Sequence, residues 1–201
     1  MNLFVAGTDT GIGKTVTSCV LALKLEMDYW KPVQSGFEPH TDTAWVREHL
    51  GADRVRTEAY ALREPLSPHR AAELEGVCID LDHVLALKPE KPTIIEGAGG
   101  VLTPLNSNRL YLDLIEALDT PTVVVARTQL GTINHTLLTL QALRERKIEI
   151  AGVVMVGELN PSNKEAIEHF GRVPVWGTLP PTHPLNKENL IQLGQHLQIR
   201  S

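Results

Sequence analysis

Short apolar runs rich in β-branched residues recur along the chain, and stretches with apolar residues at helical spacing separate them. Leu3 to Ala6, Tyr29 to Val33, Thr93 to Ile95, Thr122 to Ala126 and Ile150 to Val156 read as buried strands, with Val173 to Trp176 as a sixth. Val16, Val20 and Leu23 recur at i, i+4, i+7, as do Ile133, Leu137 and Leu140, and both spacings predict helices. Leu190, Leu193 and Leu197 predict a last amphipathic helix. Strands that are apolar throughout, rather than alternating, belong to a parallel sheet covered on both faces. Strand–helix alternation with right-handed crossovers then gives an α/β, doubly wound architecture: a mainly parallel sheet flanked by helices. The stretch from 36 to 92 is less regular and predicts short helices over Asp42 to Leu50, His69 to Glu75 and Leu81 to Leu87.

Composition narrows the function classes. A length of 201 residues suits a single domain spanning 1–201 with a sizeable core. Nineteen basic and 24 acidic residues give a net charge of −5, which argues against the basic face that nucleic acid or an anionic membrane requires. Aromatic residues make 4%, too few for a stacking platform. Cys19 and Cys78 cannot build a disulfide scaffold, and Cys19 falls in a helical apolar pattern as a core residue. The first residues lead straight into a strand, and no apolar run approaches the roughly 20 residues of a membrane helix. The expectation is a cytosolic protein that binds neither nucleic acid nor membrane.

Ligands of doubly wound sheets sit at the carboxyl ends of strands, so the segments that follow each strand are where chemistry is sought. After the first comes Gly7-Thr8-Asp9-Thr10-Gly11-Ile12-Gly13-Lys14-Thr15, between a strand and a helix, the context a P-loop needs. Backbone N–H groups of the loop and helix start, from Ile12 and Gly13 through Lys14, Thr15, Val16 and Thr17, can surround phosphates. Lys14 reaches the β- and γ-phosphates of such a ligand, and the Thr15 hydroxyl ligates Mg²⁺. One departure stands out: Thr8 occupies the position of the usual first glycine, and Gly7 lies one residue earlier.

The other strand ends are individually less specific. Lys31 and Ser35 lie in Lys31-Pro32-Val33-Gln34-Ser35-Gly36. Taken alone this is a strand end with a lysine and a turn; beside a P-loop, Lys31 is a second cation for a transferring phosphoryl group and Ser35 a hydroxyl for a polar substrate. Glu96-Gly97-Ala98-Gly99-Gly100 puts a carboxylate at the end of a buried strand, where a second Mg²⁺-side acid belongs. Asp42 fits a helix cap or first-turn acid, worth roughly 1 kcal/mol, and alternatively a Mg²⁺ ligand. Leu130-Gly131-Thr132-Ile133-Asn134-His135 opens a helix whose free N–H groups suit a carboxylate, or whose Thr132 or Asn134 caps it. His40, His49, His83, His169 and His196 read as solvated surface and His183 as a loop residue, with no zinc spacing among the histidines.

Together these segments resemble the dethiobiotin synthetases, members of the P-loop NTPase superfamily. The resemblance lies in Gly-Thr-Asp-Thr-x-x-Gly-Lys-Thr at 7–15, Lys-Pro-Val-x-Ser-Gly at 31–36, Ser67-Pro68-His69, Glu-Gly-Ala-Gly-Gly at 96–100 and Leu-Gly-x-Ile-Asn-His at 130–135. It implies a homodimer acting on 7,8-diaminononanoate, CO₂ and a nucleoside triphosphate such as ATP, with Mg²⁺. Carried over by motif, Lys14 and Lys31 stabilise the transferring group and the carbamate, Thr15, Asp42 and Glu96 hold Mg²⁺, and Gly97, Ala98 and Gly99 lie along the nucleotide site. Thr10 and Ser35 contact the diamine or carbamate. Backbone N–H groups of Gly131, Thr132, Ile133 and Asn134 receive the distal carboxylate from the neighbouring subunit. The C-terminal quarter departs from the family: the Asn-Asp pair with which many members read the purine is absent where Val153-Val154-Met155-Val156-Gly157-Glu158 stands, with no Asn until Asn160. This implies relaxed base selectivity, or reading by main-chain groups near Gly177 to Pro181. The alternatives are a P-loop switch ATPase of the partitioning type, weakened by Asp9 where the switch ATPases carry a signature lysine, and a related ATP-dependent ligase, which stays open because substrate identity rests on the resemblance.

Overall fold

In the computed structural model, which describes residues 1–37 and 40–199, successive side chains of β1 (Leu3–Gly7) enter two different cores. Phe4 and Ala6 point into one apolar cluster, Leu3 and Val5 into the other. That two-residue period is what a strand with both faces covered must show. The next strands in the chain are β2 (Asp28–Trp30), β3 (Val33–Ser35), β4 (Tyr60–Leu62), β5 (Thr93–Glu96), β6 (Thr122–Arg127), β7 (Ile150–Val156) and β8 (Val175–Leu179). Six of them form one sheet in the order β2-β5-β1-β6-β7-β8, with every pairing parallel. From β1 the chain goes out to β2, returns through β5, and then crosses to β6 on the other side. The carboxyl end of β1 is therefore the point where strand order reverses and a ligand crevice opens.

Helices α1 (Lys14–Leu25), α2 (Asp42–Leu50) and α8 (Lys187–Leu193) cover the face built on Leu3, Val5 and Ile94. Helices α3 (Pro68–Leu74), α4 (Leu81–Ala86), α5 (Tyr111–Leu118), α6 (Thr132–Glu145) and α7 (Pro161–Gly171) cover the other. Cys19 is fully buried in the first layer, as its spacing predicts, and burial pushes its thiol up to about 12.

The sequence expectations need four corrections here. The second strand does not run unbroken from Tyr29 to Val33: Lys31 and Pro32 interrupt it, and β3 pairs instead with β4 in a separate two-stranded parallel sheet. Pro32 has no N–H to donate to a ladder, while its carbonyl accepts from Ala59 and Tyr60 N–H at 2.9 and 3.0 Å. The last strand starts at Val175, two residues later than expected, because Pro174 precedes it in the same way. Helices α5 and α7 lie outside the segments whose spacing predicts a helix. His49 is not a solvated surface residue: it is half-buried, its ring nitrogens 2.8 Å from the carbonyls of Trp45 and Leu185, tying α2 to the segment before α8. Residues 38 and 39, within the candidate ligand segment after the second strand, lie outside the described residues, as do 200 and 201. Among the described residues no helix is long and apolar enough to cross a membrane.

Candidate active site

The turn after β1 is shaped by glycine. Gly13, at φ 93°, sits in the left-handed region immediately before α1, and a Cβ there would lie 3.0 Å from Val156 Cγ1. A side chain is excluded both by backbone strain and by contact. Within the described residues, the N–H groups from Gly11 to Val16 have no hydrogen-bond partner; the first helical donor is Thr17 N–H, to Gly13 O at 2.9 Å. A run of unpartnered donors at a helix N-terminus is an anion site. Asp9 braces the loop from the rim, accepting from Thr10 N–H at 2.7 Å and pairing with Arg127 at 2.7 Å.

Beside this turn lies a cavity of about 860 Å³, lined by Thr10, Gly11, Gly13, Lys14, Thr15 and Val16 from the loop, Lys31, Ser35 and Asp42 from the next segments, and Glu96, Ala98 and Gly99 from the end of β5. Ser67 and Pro68 complete one wall. Ile12, Thr17 and Gly97 do not line it: Ile12 and Thr17 are buried, and Gly97 packs on the Phe4 ring. Gly131, Thr132, Ile133 and Asn134 are also outside it. They open α6, whose next turns contribute His135, Leu138 and Thr139 to a neighbouring depression shared with Thr8, Asp9 and Thr10. Thr10 belongs to both.

At the floor, the Thr15 hydroxyl lies 2.8 Å from Asp42 Oδ1 and 2.9 Å from Glu96 Oε1. Lys31 Nζ reaches the same two acids, bonded to Asp42 and 3.1 Å from Glu96. Glu96 is fully buried and Lys31 nearly so. Burial disfavours the Lys31 ammonium, but the two carboxylates overcome it and raise its pKa above the ordinary lysine value. For Asp42, desolvation is likewise outweighed by Lys31 and by the Thr15 hydroxyl, and its pKa is lowered. Lys14 has less help. Burial dominates, Glu96 and Asp42 offset it only in part, Lys31 adds repulsion, and its pKa falls to about 8. Its ammonium donates to Asp9 O at 2.8 Å.

Two alternatives left by the sequence resolve locally. Thr41, not Asp42, caps α2, its hydroxyl accepting from Ala44 N–H at 3.1 Å. Asp42 is the first helical residue and turns its carboxylate to Thr15 and Lys31. At α6, neither Thr132 nor Asn134 caps the helix. Gly131 stands there at φ 92° with no side-chain cap, and the Thr132 hydroxyl donates to Arg127 O at 2.6 Å.

The donor set suits a hard cation. Two carboxylates and one hydroxyl, all oxygen, converge from three elements, which fits Mg²⁺ better than a softer metal. Among the described residues no cluster of three His, Cys, Asp or Glu side chains competes for a metal. Ser35 Oγ is buried with no hydrogen-bond partner on the same cavity. Two supporting residues escaped sequence reasoning. Gln34 ties β3 to α2, accepting from Asp42 N–H at 3.2 Å and donating to Ser35 and Gly36 carbonyls at 3.0 Å. The Tyr29 hydroxyl donates to Glu96 Oε2 at 3.0 Å, and burial first, then Glu96, raises its pKa well above the usual tyrosine value.

Residues 1–189 match the sequence family described as an AAA domain. The ATP-dependent dethiobiotin synthetase of Paramagnetospirillum magneticum is 48% identical over 179 residues, 89% of this chain and 87% of that one. Its counterpart from Nitrobacter hamburgensis is 47% identical over 190 residues, 94% and 90% of the two chains. Among solved structures, a ParA family ATPase from Chlorobium tepidum superposes with a TM-score of 0.61 over 98% of both chains at 12% identity. That likeness places the chain in the P-loop NTPase fold and goes no further; the switch-ATPase alternative is not favoured.

Proposed function

The chain belongs to the ATP-dependent dethiobiotin synthetase family and is an ATP-dependent enzyme of the ligase class, and from that premise we propose how its residues close the ureido ring of dethiobiotin. The substrates are 7,8-diaminononanoate, CO₂ and a nucleoside triphosphate. One amine adds to CO₂ and loses a proton, giving a carbamate. A carbamate oxygen attacks the γ-phosphorus and the nucleoside diphosphate leaves. The second amine attacks the carbonyl carbon of the mixed anhydride, a proton is lost, and phosphate departs as the ring closes.

The observation that carries this reading is the convergence of Lys14, Lys31, Thr15, Asp42 and Glu96 on one cavity at the P-loop. The unpartnered N–H groups from Gly11 to Val16 bind the phosphates. Lys14 exchanges the Asp9 carbonyl for phosphate oxygens. Lys31 offsets charge developing on the transferring group and the carbamate. Thr15, Asp42 and Glu96 would hold Mg²⁺, which supplies charge neutralisation of the phosphates when bound. Ser35, with its unpartnered buried hydroxyl, and Thr10, shared between the two depressions, hold the diamine end.

The working unit in this reading is a homodimer in the cytoplasm. The four residues Gly131 to Asn134 are outside their own chain's cavity and open α6 without a side-chain cap; Thr132 N–H already donates to Gln129 O at 3.1 Å, which leaves the N–H groups of Gly131, Ile133 and Asn134 for a carboxylate delivered from a second copy. Leu130 is fully exposed, and Leu102 and Leu138 are more than half exposed around the depression next to them, apolar surface that a second copy would cover. The test is incubation with diaminononanoate, labelled bicarbonate, Mg²⁺ and ATP. Label is expected in an acid-stable product together with one phosphate released per product; an unlabelled acid-stable fraction refutes the assignment.

A further inference from the structure

Tyr29 is fully buried in the apolar layer between the sheet and helices α1 and α2. A phenylalanine would fill that space without bringing a polar atom that needs a partner. The partner found is Glu96 Oε2, 3.0 Å from the phenol. The register explains the reach. Tyr29 lies opposite Ile94 in the parallel β2–β5 pair, and Glu96 is the next residue along β5 on the same face. The carboxylate is thus held at both ends. Oε1 faces the cavity with Thr15 and Lys31, and Oε2 is pinned from behind by the phenol.

The terminal torsion of a glutamate is broad, so burial alone does not decide which oxygen faces the cavity or at what angle. We propose that Tyr29 is a positioning residue: it fixes the Glu96 carboxylate so that Oε1 points toward Thr15 and Asp42, and thereby sets the affinity of this oxygen set for the divalent cation. Tyr29 lines no part of the cavity and acts only through Glu96. The proposal rests on the reading of Glu96 as a metal ligand given above. Outer-shell partners of ligating groups are commonly worth ten- to a hundredfold in metal affinity.

The test measures Mn²⁺ binding to the full chain by electron paramagnetic resonance of the free ion, at saturating ADP. Tyr29→Phe keeps the ring that packs the core and removes only the hydroxyl. The Mn²⁺ dissociation constant is expected to rise about tenfold or more, and the Mg²⁺ concentration for half-maximal turnover by a similar factor, with kcat at saturating Mg²⁺ within about threefold of the unsubstituted protein. In a Glu96→Gln background the same change is expected to add less than about twofold, because the two side chains act as one unit. A lowered Tm with unaltered Mn²⁺ affinity would mean that the hydroxyl serves packing alone, and overturns the proposal. Should Glu96→Gln itself leave Mn²⁺ affinity unaltered, the metal-ligand reading falls and takes the positioning role with it.

Discussion

Lys31 Nζ lies 3.1 Å from Glu96 Oε1, and the same ammonium bonds Asp42, so one cation sits between two carboxylates. Only the Asp42 end of this group is open to solvent, at 34% exposure; the Lys31 and Glu96 side chains are at 5% and 0%. Breaking a buried pair by deleting one partner strands the other charge, at a typical cost of about 3 kcal/mol or more. Lys31→Ala should therefore lower ligand-free stability by roughly that amount, measured by chemical denaturation.

Catalysis should suffer separately from binding. In the proposed reaction Lys31 stabilises charge that develops during transfer, and losing one such donor typically costs at least about a hundredfold in kcat. Lys31→Ala is expected to abolish useful turnover while the equilibrium affinity for nucleotide stays within about threefold. Titration with a fluorescent nucleotide beside a phosphate-release assay separates the two. Lost binding with unaltered kcat would assign Lys31 to nucleotide affinity instead.

Lys14 gives a pH dependence of definite sign. Burial holds its pKa near 8 in the ligand-free protein, and bound phosphates favour the ammonium and raise it. Below pH 8 both states carry the proton and affinity is insensitive to pH. Above 8 the free protein loses the proton while the complex keeps it, so binding must take one up, and affinity falls by as much as about tenfold per pH unit. Calorimetry in buffers of different ionisation enthalpy should detect this proton uptake above pH 8 and none well below it. A dissociation constant that stays flat to about pH 10 would mean that Lys14 is fully charged before nucleotide arrives.

How far the sequence discloses this site depends on whether a residue's role is local. The P-loop is legible because its glycines, lysine and threonine act within one turn between a strand and a helix. Glu96 is legible as the polar end of an apolar strand. Asp42 is ambiguous in sequence, since spacing alone does not distinguish a helix cap from a carboxylate aimed across the site; the Thr41 cap resolves it. Tyr29 is invisible for a stronger reason: its contact with Glu96 joins positions 67 residues apart and exists only once the β2–β5 register is set. Two other features do carry a local signal. Pro32 in an expected strand lacks a ladder donor, and Asn160 followed by Pro161 is a cap with proline in the first turn, the start of α7.

Base selectivity is where this chain should differ from family members that carry the Asn-Asp pair. At the end of β7, Val156 turns its side chain onto the P-loop near Gly13, and Gly157 has none to offer. The nearby amides are committed elsewhere: Asn163 Nδ2 donates to Thr128 O at 2.9 Å, and Asn160 Oδ1 caps α7 by accepting from Asn163 N–H at 3.0 Å. In the main chain around Gly177 to Pro181, Pro180 and Pro181 lack N–H groups and present only carbonyls, and at the end of β7 Glu158 adds an exposed carboxylate, likewise only an acceptor. Carbonyl acceptors take a hydrogen bond from any exocyclic amine, and adenine, cytosine and guanine each carry one. Strong rejection needs a site built around a hydrogen bond that the wrong ligand leaves unmade. The kcat/KM values for ATP, GTP and CTP are therefore expected to lie within about tenfold of one another, measured as phosphate release at saturating diaminononanoate and bicarbonate. An ATP preference above about a hundredfold, or roughly 2.7 kcal/mol, would require a base-reading group that these residues do not provide and would sink the relaxed reading.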